Sequence, residues 1–215
     1  MTLAHWQNSI EQIMLAAVGQ QERVLGLTSL RAGAGVSLVC HHIARTAAAG
    51  EYKTLLFDIS EPQTRDTPVR TWRPGHERIG NLITPTVGGY DYLKVRTDEA
   101  TRPLFCNPAR LRSVYRTEFE QYALVVVDLP PLLEPSELGP NPVAAAGSCD
   151  QVLLVCAVGR DTRSELAEAI SLVGGAGGRL SGLVSNEFLY EQPLEQIGRF
   201  AMLHGRRSPS PRNRR

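Results

Sequence analysis

Residues 23–50 read RVLGLTSLRAGAGVSLVCHHIARTAAAG, and this stretch decides the fold. An apolar run ends at Thr28, a loop of small residues (SLRAGAGVS) follows, and a segment of helical composition ends at Gly50. This order predicts a strand, a tight loop and a helix. A second continuous apolar run, KTLLFD at 53–58, comes next. One helix between two such runs is the spacing of a βαβ crossover with parallel strands.

Further apolar runs repeat this rhythm along the chain. YALVVVD at 122–128, QVLLVCA at 151–157 and LSGLVS at 180–185 are unbroken, and a helix candidate, TRSELAEAISLVGG, separates the last two. Unbroken runs are typical of parallel strands that are buried on both faces. The sequence therefore predicts an α/β fold, a doubly wound and mainly parallel sheet with helices on both faces.

The segments between these runs are less regular. Residues 60–101 hold several prolines and a Gly-Gly pair, with one strand candidate, YDYLKV, at 90–95. Asn107 and Pro108 have the residue types of a helix N-cap and first turn. Apolar residues recur every three or four positions over residues 3–18, which predicts an amphipathic N-terminal helix. We expect one domain over residues 1–205.

Composition excludes several classes of protein. The 215 residues are 42% hydrophobic and carry 23 basic and 22 acidic side chains, so the chain is neither a disordered polyelectrolyte nor a nucleic-acid-coating protein. No signal peptide or membrane span is visible, which predicts a cytoplasmic location. The four cysteines form no CxxC pair, so neither a disulfide framework nor a zinc site is indicated.

The basic residues are unevenly distributed. Only Lys53 and Lys94 are lysines, and all the others are arginines. The last ten residues, RRSPSPRNRR, hold five arginines and no acid, which leaves 18 basic and 22 acidic residues in the rest of the chain. We expect residues 206–215 to form a disordered basic tail on an acidic domain.

The glycine-rich loop has the context of a phosphate-binding loop between a strand and a helix N-terminus. Gly33 and Gly35 supply flexible backbone, and Ser37 stands where a hydroxyl would reach a phosphate-bound magnesium ion. The lysine of such loops is missing, because Val36 follows Gly35. The loss of its charge-assisted hydrogen bonds removes roughly 1.5–3 kcal/mol, or about one to two decades of affinity.

The landmarks VLGLTSLRAGAGVS, LLFDIS, YALVVVDLPPLLE, CDQVLLVCAVGRDT and LSGLVSNEF together resemble the bacterial tyrosine kinases (BY-kinases) of capsule and exopolysaccharide export. More broadly, they resemble the MinD/ParA-like P-loop ATPases, which include an accessory ATPase of cellulose secretion. The resemblance covers roughly residues 1–190 and implies a P-loop NTPase-like fold. It assigns Ser37, Asp58 and Asp128 to a magnesium site. The nucleotide contacts that it implies are Arg31, Gly33, Gly35, Ser37 and Asn186.

The chain departs from the family at the positions that serve phosphoryl transfer. Val36 replaces the loop lysine, Leu38 stands where a second hydroxyl is usual, and Ser60 replaces the second acid of the Walker A′ pair. The charges of the family's N-terminal assembly motif and its C-terminal tyrosine cluster are absent. The resemblance and these losses together imply a pseudokinase or pseudo-ATPase without catalytic residues. We expect no cofactor, with at most weak binding of ATP and Mg²⁺.

This interpretation predicts a regulatory or scaffold subunit of exopolysaccharide or cellulose biosynthesis and export, which acts by binding proteins. Its expected partner is the cytoplasmic part of a membrane polysaccharide synthase or co-polymerase, or a sibling ATPase, with recruitment to the inner membrane through that partner. A homodimer or heterodimer is compatible with it, and nucleic acid is not an expected partner.

Three alternatives stay open. Arg31 occupies the place of a second lysine in MinD/ParA-like loops, so Arg31 or a partner's residue could complete a slow ATPase or tyrosine autokinase. A nucleotide-free structural dimer of another secretion apparatus is the second. The third is a dinucleotide-binding loop, which fits less well because Leu38 stands at its third small position.

Overall fold

The computed structural model describes residues 10–13, 22–60, 70–73, 79–97, 99–136 and 139–186. Within these ranges eight strands form one sheet in the order β3-β5-β2-β6-β1-β7-β8, with β4 added beside β5. The strands are β1 (Val24–Ser29), β2 (Thr54–Asp58), β3 (Arg70–Thr71), β4 (Thr84–Pro85), β5 (Asp91–Arg96), β6 (Leu124–Asp128), β7 (Gln151–Ala157) and β8 (Leu180–Asn186). All pairings are parallel except that of β4 with β5.

Four helices lie wholly within the described ranges, in addition to the helical residues 10–13. They are α1 (Val36–Ala49), α2 (Pro108–Thr117), α3 (Pro142–Gly147) and α4 (Arg163–Gly175), with 3₁₀ turns at Ile79–Asn81 and Arg102–Cys106. The predicted cap of α2 is confirmed, because the Asn107 side chain accepts a hydrogen bond from the amide of Arg110 at 3.1 Å and Pro108 opens the helix. Helix α4 begins with a capping box between Thr162 and Glu165.

Hydrophobic residues cover both faces of the sheet. Every residue of β1, β2 and β6 is buried. Helix α1 packs on one face, together with Ile10. The other face carries α2, α3 and α4 and an aromatic cluster in which Phe57 contacts Trp72, Tyr115 and Phe119. The predicted doubly wound, mainly parallel α/β architecture is therefore confirmed.

The strand order creates a switch point at the centre of the sheet. From β1 the chain proceeds to β2 and β5 on one side, returns to β6 beside β1, and continues to β7 and β8 on the other side. In open parallel sheets, ligands bind at the carboxyl ends of the strands near such a point. The carboxyl ends of β1, β2 and β6 carry Ser29, Asp58 and Asp128.

Two predicted terminal features lie largely or wholly outside the described residues. Of the predicted amphipathic helix at 3–18, only residues 10–13 are described, and they are helical. The predicted basic tail at 206–215 and the domain limit at 205 are outside the described ranges. The described part of the chain has no helix with the length and apolar character needed to span a bilayer.

Candidate functional site

The loop between β1 and α1 has the backbone of a phosphate cradle. Gly33 and Gly35 have φ angles of +79° and +91°, which place them in the left-handed region that favours glycine. The Asn186 amide at the end of β8 supports the loop by donating a 2.8 Å hydrogen bond to the carbonyl oxygen of Ala34. An added Cβ at Gly35 would lie 2.5 Å from Nδ2 of Asn186, so this contact requires glycine.

A cavity of about 870 Å³ lies between this loop and the carboxyl ends of β2, β5 and β6. It brings together five of the seven predicted site residues, namely Gly33, Gly35, Ser37, Asp58 and Asp128. Arg31 and Asn186 are outside its lining. The other polar lining groups are Ser29, His41, Ser60, Tyr92, Lys94 and Glu134.

Val36 contributes no polar group to this cavity. Its side chain is 9% exposed and belongs to the hydrophobic cluster beneath α1, which also contains Val39 and Cys40. A lysine at this position would place an ammonium group among the loop amides. The valine therefore contributes packing energy and no charge.

Four hydrogen-bond donors surround the carboxylate of Asp58. The backbone amide and hydroxyl of Ser60 donate to its Oδ1 at 3.0 and 2.6 Å. The Tyr92 hydroxyl donates to its Oδ2 at 2.7 Å, and the Lys94 ammonium lies 2.8 Å from the same oxygen. Burial and the neighbouring Asp58 charge raise the pKa of Tyr92, which keeps the phenol protonated as a donor.

Asp128 is the least satisfied polar group of the site. It is 2% exposed, and its Oδ1 has no hydrogen-bond partner among the described residues. Burial and the nearby charge of Asp58 raise its pKa to about 7, although a hydrogen bond from Ser37 and the charge of Lys94 favour the ionised form. This carboxyl group therefore changes its charge near neutral pH.

Arg31 lies outside the cavity lining and forms ion pairs with two carboxylates. Its guanidinium donates to Oε1 of Glu165, and its Nε lies 3.8 Å from Oε1 of Glu134. The hydrogen bond from Arg31 is the main cause that lowers the pKa of Glu165 to about 2. Glu134 also accepts a 2.8 Å hydrogen bond from the loop amide of Ala32, so a carboxylate of the chain occupies one anion-binding donor. The expected phosphate contact of Arg31 stays a prediction.

Sequence reasoning missed Lys94, Tyr92 and Glu134 as site residues. Lys94 lies directly beside Asp58 in the β2–β5 register. The YDYLKV strand and the rarity of lysine were both visible in the sequence. The carboxyl ends of parallel strands lie at the same edge of a sheet, where ligands bind. This rule, applied to the YDYLKV strand, could have placed Lys94 at the site. Glu134 lies in an irregular segment after β6, for which no sequence pattern gave a position.

The oxygen donors of the site fit a magnesium ion that is bound together with phosphates. Mg²⁺ is usually held by one or two carboxylates and by substrate oxygens. The unpartnered Oδ1 of Asp128 and the hydroxyl of Ser37 are donors of this kind. The described residues contain no preformed cluster of three or more acidic, histidine or cysteine side chains for a metal. The site thus fits a metal that arrives with its ligand.

The central switch point, the glycine loop and the two strand-end aspartates are features of a P-loop NTPase-like fold. No family model matches the chain. Sequence comparison confirms the resemblance to bacterial tyrosine kinases: the chain is 24% identical over 188 residues to the tyrosine-protein kinase CpsD of Streptococcus agalactiae serotype III, covering 79% of this chain and 76% of that protein.

Solved structures confirm the fold. The kinase domain of Escherichia coli tyrosine kinase ETK superposes with a TM-score of 0.68 at 20% identity, covering 81% of this chain and 71% of that domain. Cobyrinic acid a,c-diamide synthase from Mycobacterium smegmatis, solved with bound ADP and magnesium, superposes with a TM-score of 0.62 at 15% identity. That match covers 86% of this chain and 82% of the synthase.

Proposed function

We propose that this protein is a non-catalytic, cytoplasmic regulatory or scaffold subunit of bacterial exopolysaccharide or cellulose biosynthesis and export. It acts by binding a partner, which is the cytoplasmic part of a membrane polysaccharide synthase or co-polymerase or a sibling ATPase. Its similarity to a tyrosine-protein kinase of the CpsD type supports the link to polysaccharide export. The near balance of acidic and basic residues agrees with a protein partner rather than nucleic acid.

The packing of Val36 is the observation that carries this proposal. Its side chain lies in the hydrophobic cluster beneath α1. The lysine that Val36 replaces is the cation that phosphoryl transfer would need at this position of the loop. Such transfer depends almost entirely on positioning and electrostatic stabilisation of the reacting phosphoryl group. The guanidinium of Arg31 is paired with Glu165 and Glu134 and lies outside the cavity lining, which supports the proposal. Slow transfer completed by Arg31 or a partner's residue is the alternative.

Charge and the second acid position also support the proposal. Three carboxyl groups line the cavity, those of Asp58, Asp128 and Glu134, and Lys94 is the only lysine or arginine among its lining residues. Ser60 stands at the place of the second Walker A′ acid and donates its hydroxyl to Asp58 instead of offering a carboxylate. Developing negative charge on a transferred phosphoryl group therefore meets few compensating groups.

A phosphoryl-transfer assay tests this proposal directly. The purified protein is incubated with radiolabelled ATP and Mg²⁺, alone and with its co-purified membrane partner, and both phosphate release and phosphotyrosine are measured. We expect no signal above that of the Asp128→Asn variant, which keeps the shape of the side chain. Release that Asp128→Asn abolishes would refute the non-catalytic assignment, and loss through Arg31→Ala would identify the completing residue.

Complementation in the native host tests the role in polysaccharide export. Deletion of the gene is expected to lower polymer yield, and the Asp128→Asn variant is expected to restore it as well as the wild type, because no transfer step is needed. An unchanged yield after deletion would contradict the link to polysaccharide. Failure of Asp128→Asn at normal protein levels would contradict the non-catalytic role.

A further inference from the structure

The cavity contains one cation that the family motif does not account for. Lys94 projects from β5, which β2 and β6 separate from β1 and its glycine loop, and it lines the same cavity as Gly33, Gly35 and Ser37. Its side chain is 24% exposed, so it is accessible from the cavity but largely covered by protein. Lys53, the other lysine of the chain, instead lies over the ring of Tyr122 at 5.3 Å.

Three observations together indicate that this cavity receives a phosphate ligand with its metal. The loop glycines keep the left-handed backbone of a cradle at the N-terminus of α1, a helix of 14 residues. The buried Oδ1 of Asp128 lines the cavity and has no partner among the described residues. Lys94 brings a positive charge close to both Asp58 and Asp128. A cradle, an unsatisfied metal donor and a cation are the parts that a magnesium-bound polyphosphate needs.

We propose that Lys94 replaces the missing loop lysine as the cation that binds the phosphates of a magnesium-bound nucleoside di- or triphosphate in this cavity. In the structure Lys94 is paired with Asp58, whose carboxylate also accepts from Ser60 and Tyr92. Because those other donors remain, Asp58 stays hydrogen-bonded when the ammonium turns towards phosphate. The proposal concerns binding alone, and it is separate from the proposal that the protein is non-catalytic.

Binding of ADP and of ATP with Mg²⁺, measured by isothermal titration calorimetry, is the primary test. We expect Lys94→Met to weaken binding by about ten- to a hundredfold, since charge-assisted hydrogen bonds are lost, and Lys94→Arg to retain most of it. Lys53→Met is the matched control, because it removes the other lysine from outside the cavity lining, and its affinity should equal that of the wild type. Circular dichroism and thermal midpoints verify that each variant is folded.

A rescue experiment separates phosphate binding from a structural role of the Lys94–Asp58 ion pair. Val36→Lys restores a cation at the loop, because Val36 also lines the cavity. If Lys94 is the substitute cation, Val36→Lys restores binding to Lys94→Met, and the two substitutions are strongly non-additive. If Lys94 only holds Asp58 in place, Val36→Lys changes the affinity by the same factor in the wild type and in Lys94→Met, and this additivity overturns the proposal.

The small number of lysines permits a direct spectroscopic test. Reductive ¹³C-methylation of the protein labels Lys53 and Lys94, and the Lys94→Met and Lys53→Met variants assign their signals. Addition of ADP and Mg²⁺ should shift the Lys94 signal and leave the Lys53 signal unchanged. Absence of binding by the wild type, or a shift of neither lysine signal, refutes this inference and leaves the non-catalytic assignment intact. If the protein transfers phosphate and its nucleotide binding depends on Lys94, the non-catalytic assignment is refuted and this inference is left intact.

Discussion

Replacing Gly35 by alanine tests the loop geometry on which the site depends. The residue has a φ angle of +91°, and an added Cβ would lie 2.5 Å from Nδ2 of Asn186. Left-handed backbone costs a residue with a Cβ about 1–2 kcal/mol. The Asn186 amide must also move and lose its bond to Ala34, which is worth about 1 kcal/mol. We expect Gly35→Ala to lower the free energy of unfolding by about 2–3 kcal/mol.

Gly33 provides the matched control. Its φ angle of +79° is similar, but an added Cβ would meet only Nη1 of Arg160, at 3.9 Å. Gly33→Ala should therefore lower the free energy of unfolding by the backbone strain alone, about 1–2 kcal/mol. The difference of about 1 kcal/mol between the two variants isolates the contact with Asn186.

Urea denaturation, followed by tryptophan fluorescence and circular dichroism, measures both losses. The same substitution in an Asn186→Ala background completes the test. The obstructing amide is absent there, so Gly35→Ala should lower the free energy of unfolding by no more than Gly33→Ala lowers it in the wild type. Equal losses for the two glycine variants would refute the reasoning. An equal loss of stability through Gly35→Ala in the wild type and in Asn186→Ala would also refute it, because contacting residues should show non-additive effects.

Three further predictions concern the charges of the site. Glu134→Gln should raise affinity for ATP and Mg²⁺ severalfold in calorimetry, because it removes a negative charge from the cavity lining and weakens the hydrogen bond that the loop amide of Ala32 donates. The exposed Glu168→Gln should leave the affinity unchanged, and a lower affinity in Glu134→Gln would contradict this reasoning. Arg31→Ala should change that affinity by less than about threefold, since exposed ion pairs contribute little, and a tenfold loss would show that Arg31 contacts the ligand. The pKa of Asp128, about 7 in the folded protein, exceeds its unfolded value, so ionisation opposes folding as pH rises from about 4 to 7. Relative to Asp128→Asn, the wild type should lose up to about 4 kcal/mol across this window in urea denaturation, and parallel pH profiles would refute the shift.

The fold was predictable where the apolar pattern was unbroken. The runs at 53–58, 122–128 and 151–157 contain β2, β6 and β7, because a strand buried on both faces requires apolar residues throughout. The run at 180–185 also predicts a strand, but the expectation of burial on both faces is wrong there, because β8 is an edge strand with half-buried and exposed residues. The strands β3 and β4 have two residues each and lie in a proline-rich connection, where they have no period to detect. Helix α3, with six residues, is too short for a helical repeat.

The candidate site was predictable only where chain order and sheet edge coincide. Gly33, Gly35 and Ser37 follow one strand directly, and Asp58 and Asp128 end two others, so the parallel topology alone brings them together. Lys94 depends on which strand lies beside β2, and the ion pairs of Arg31 depend on side chains more than 100 positions away. These contacts arise from tertiary packing, for which the sequence carries no local signal.

The position of the cation decides how nucleotide binding and the absence of catalysis can coexist. Only interactions that are stronger in the transition state than in the ground state accelerate a reaction. Lys94 is carried by β5, next to the short edge strands β3 and β4, and is paired with Asp58. Among the described residues, no other lysine or arginine lines the cavity. Under the two proposals above, a cation held there binds the phosphates of a nucleotide, while Val36 occupies the loop position whose lysine would serve transfer. If both proposals hold, the move of the cation from the loop to β5 leaves a site that binds its ligand without transferring phosphate, and ligand occupancy is then available as a signal to a partner.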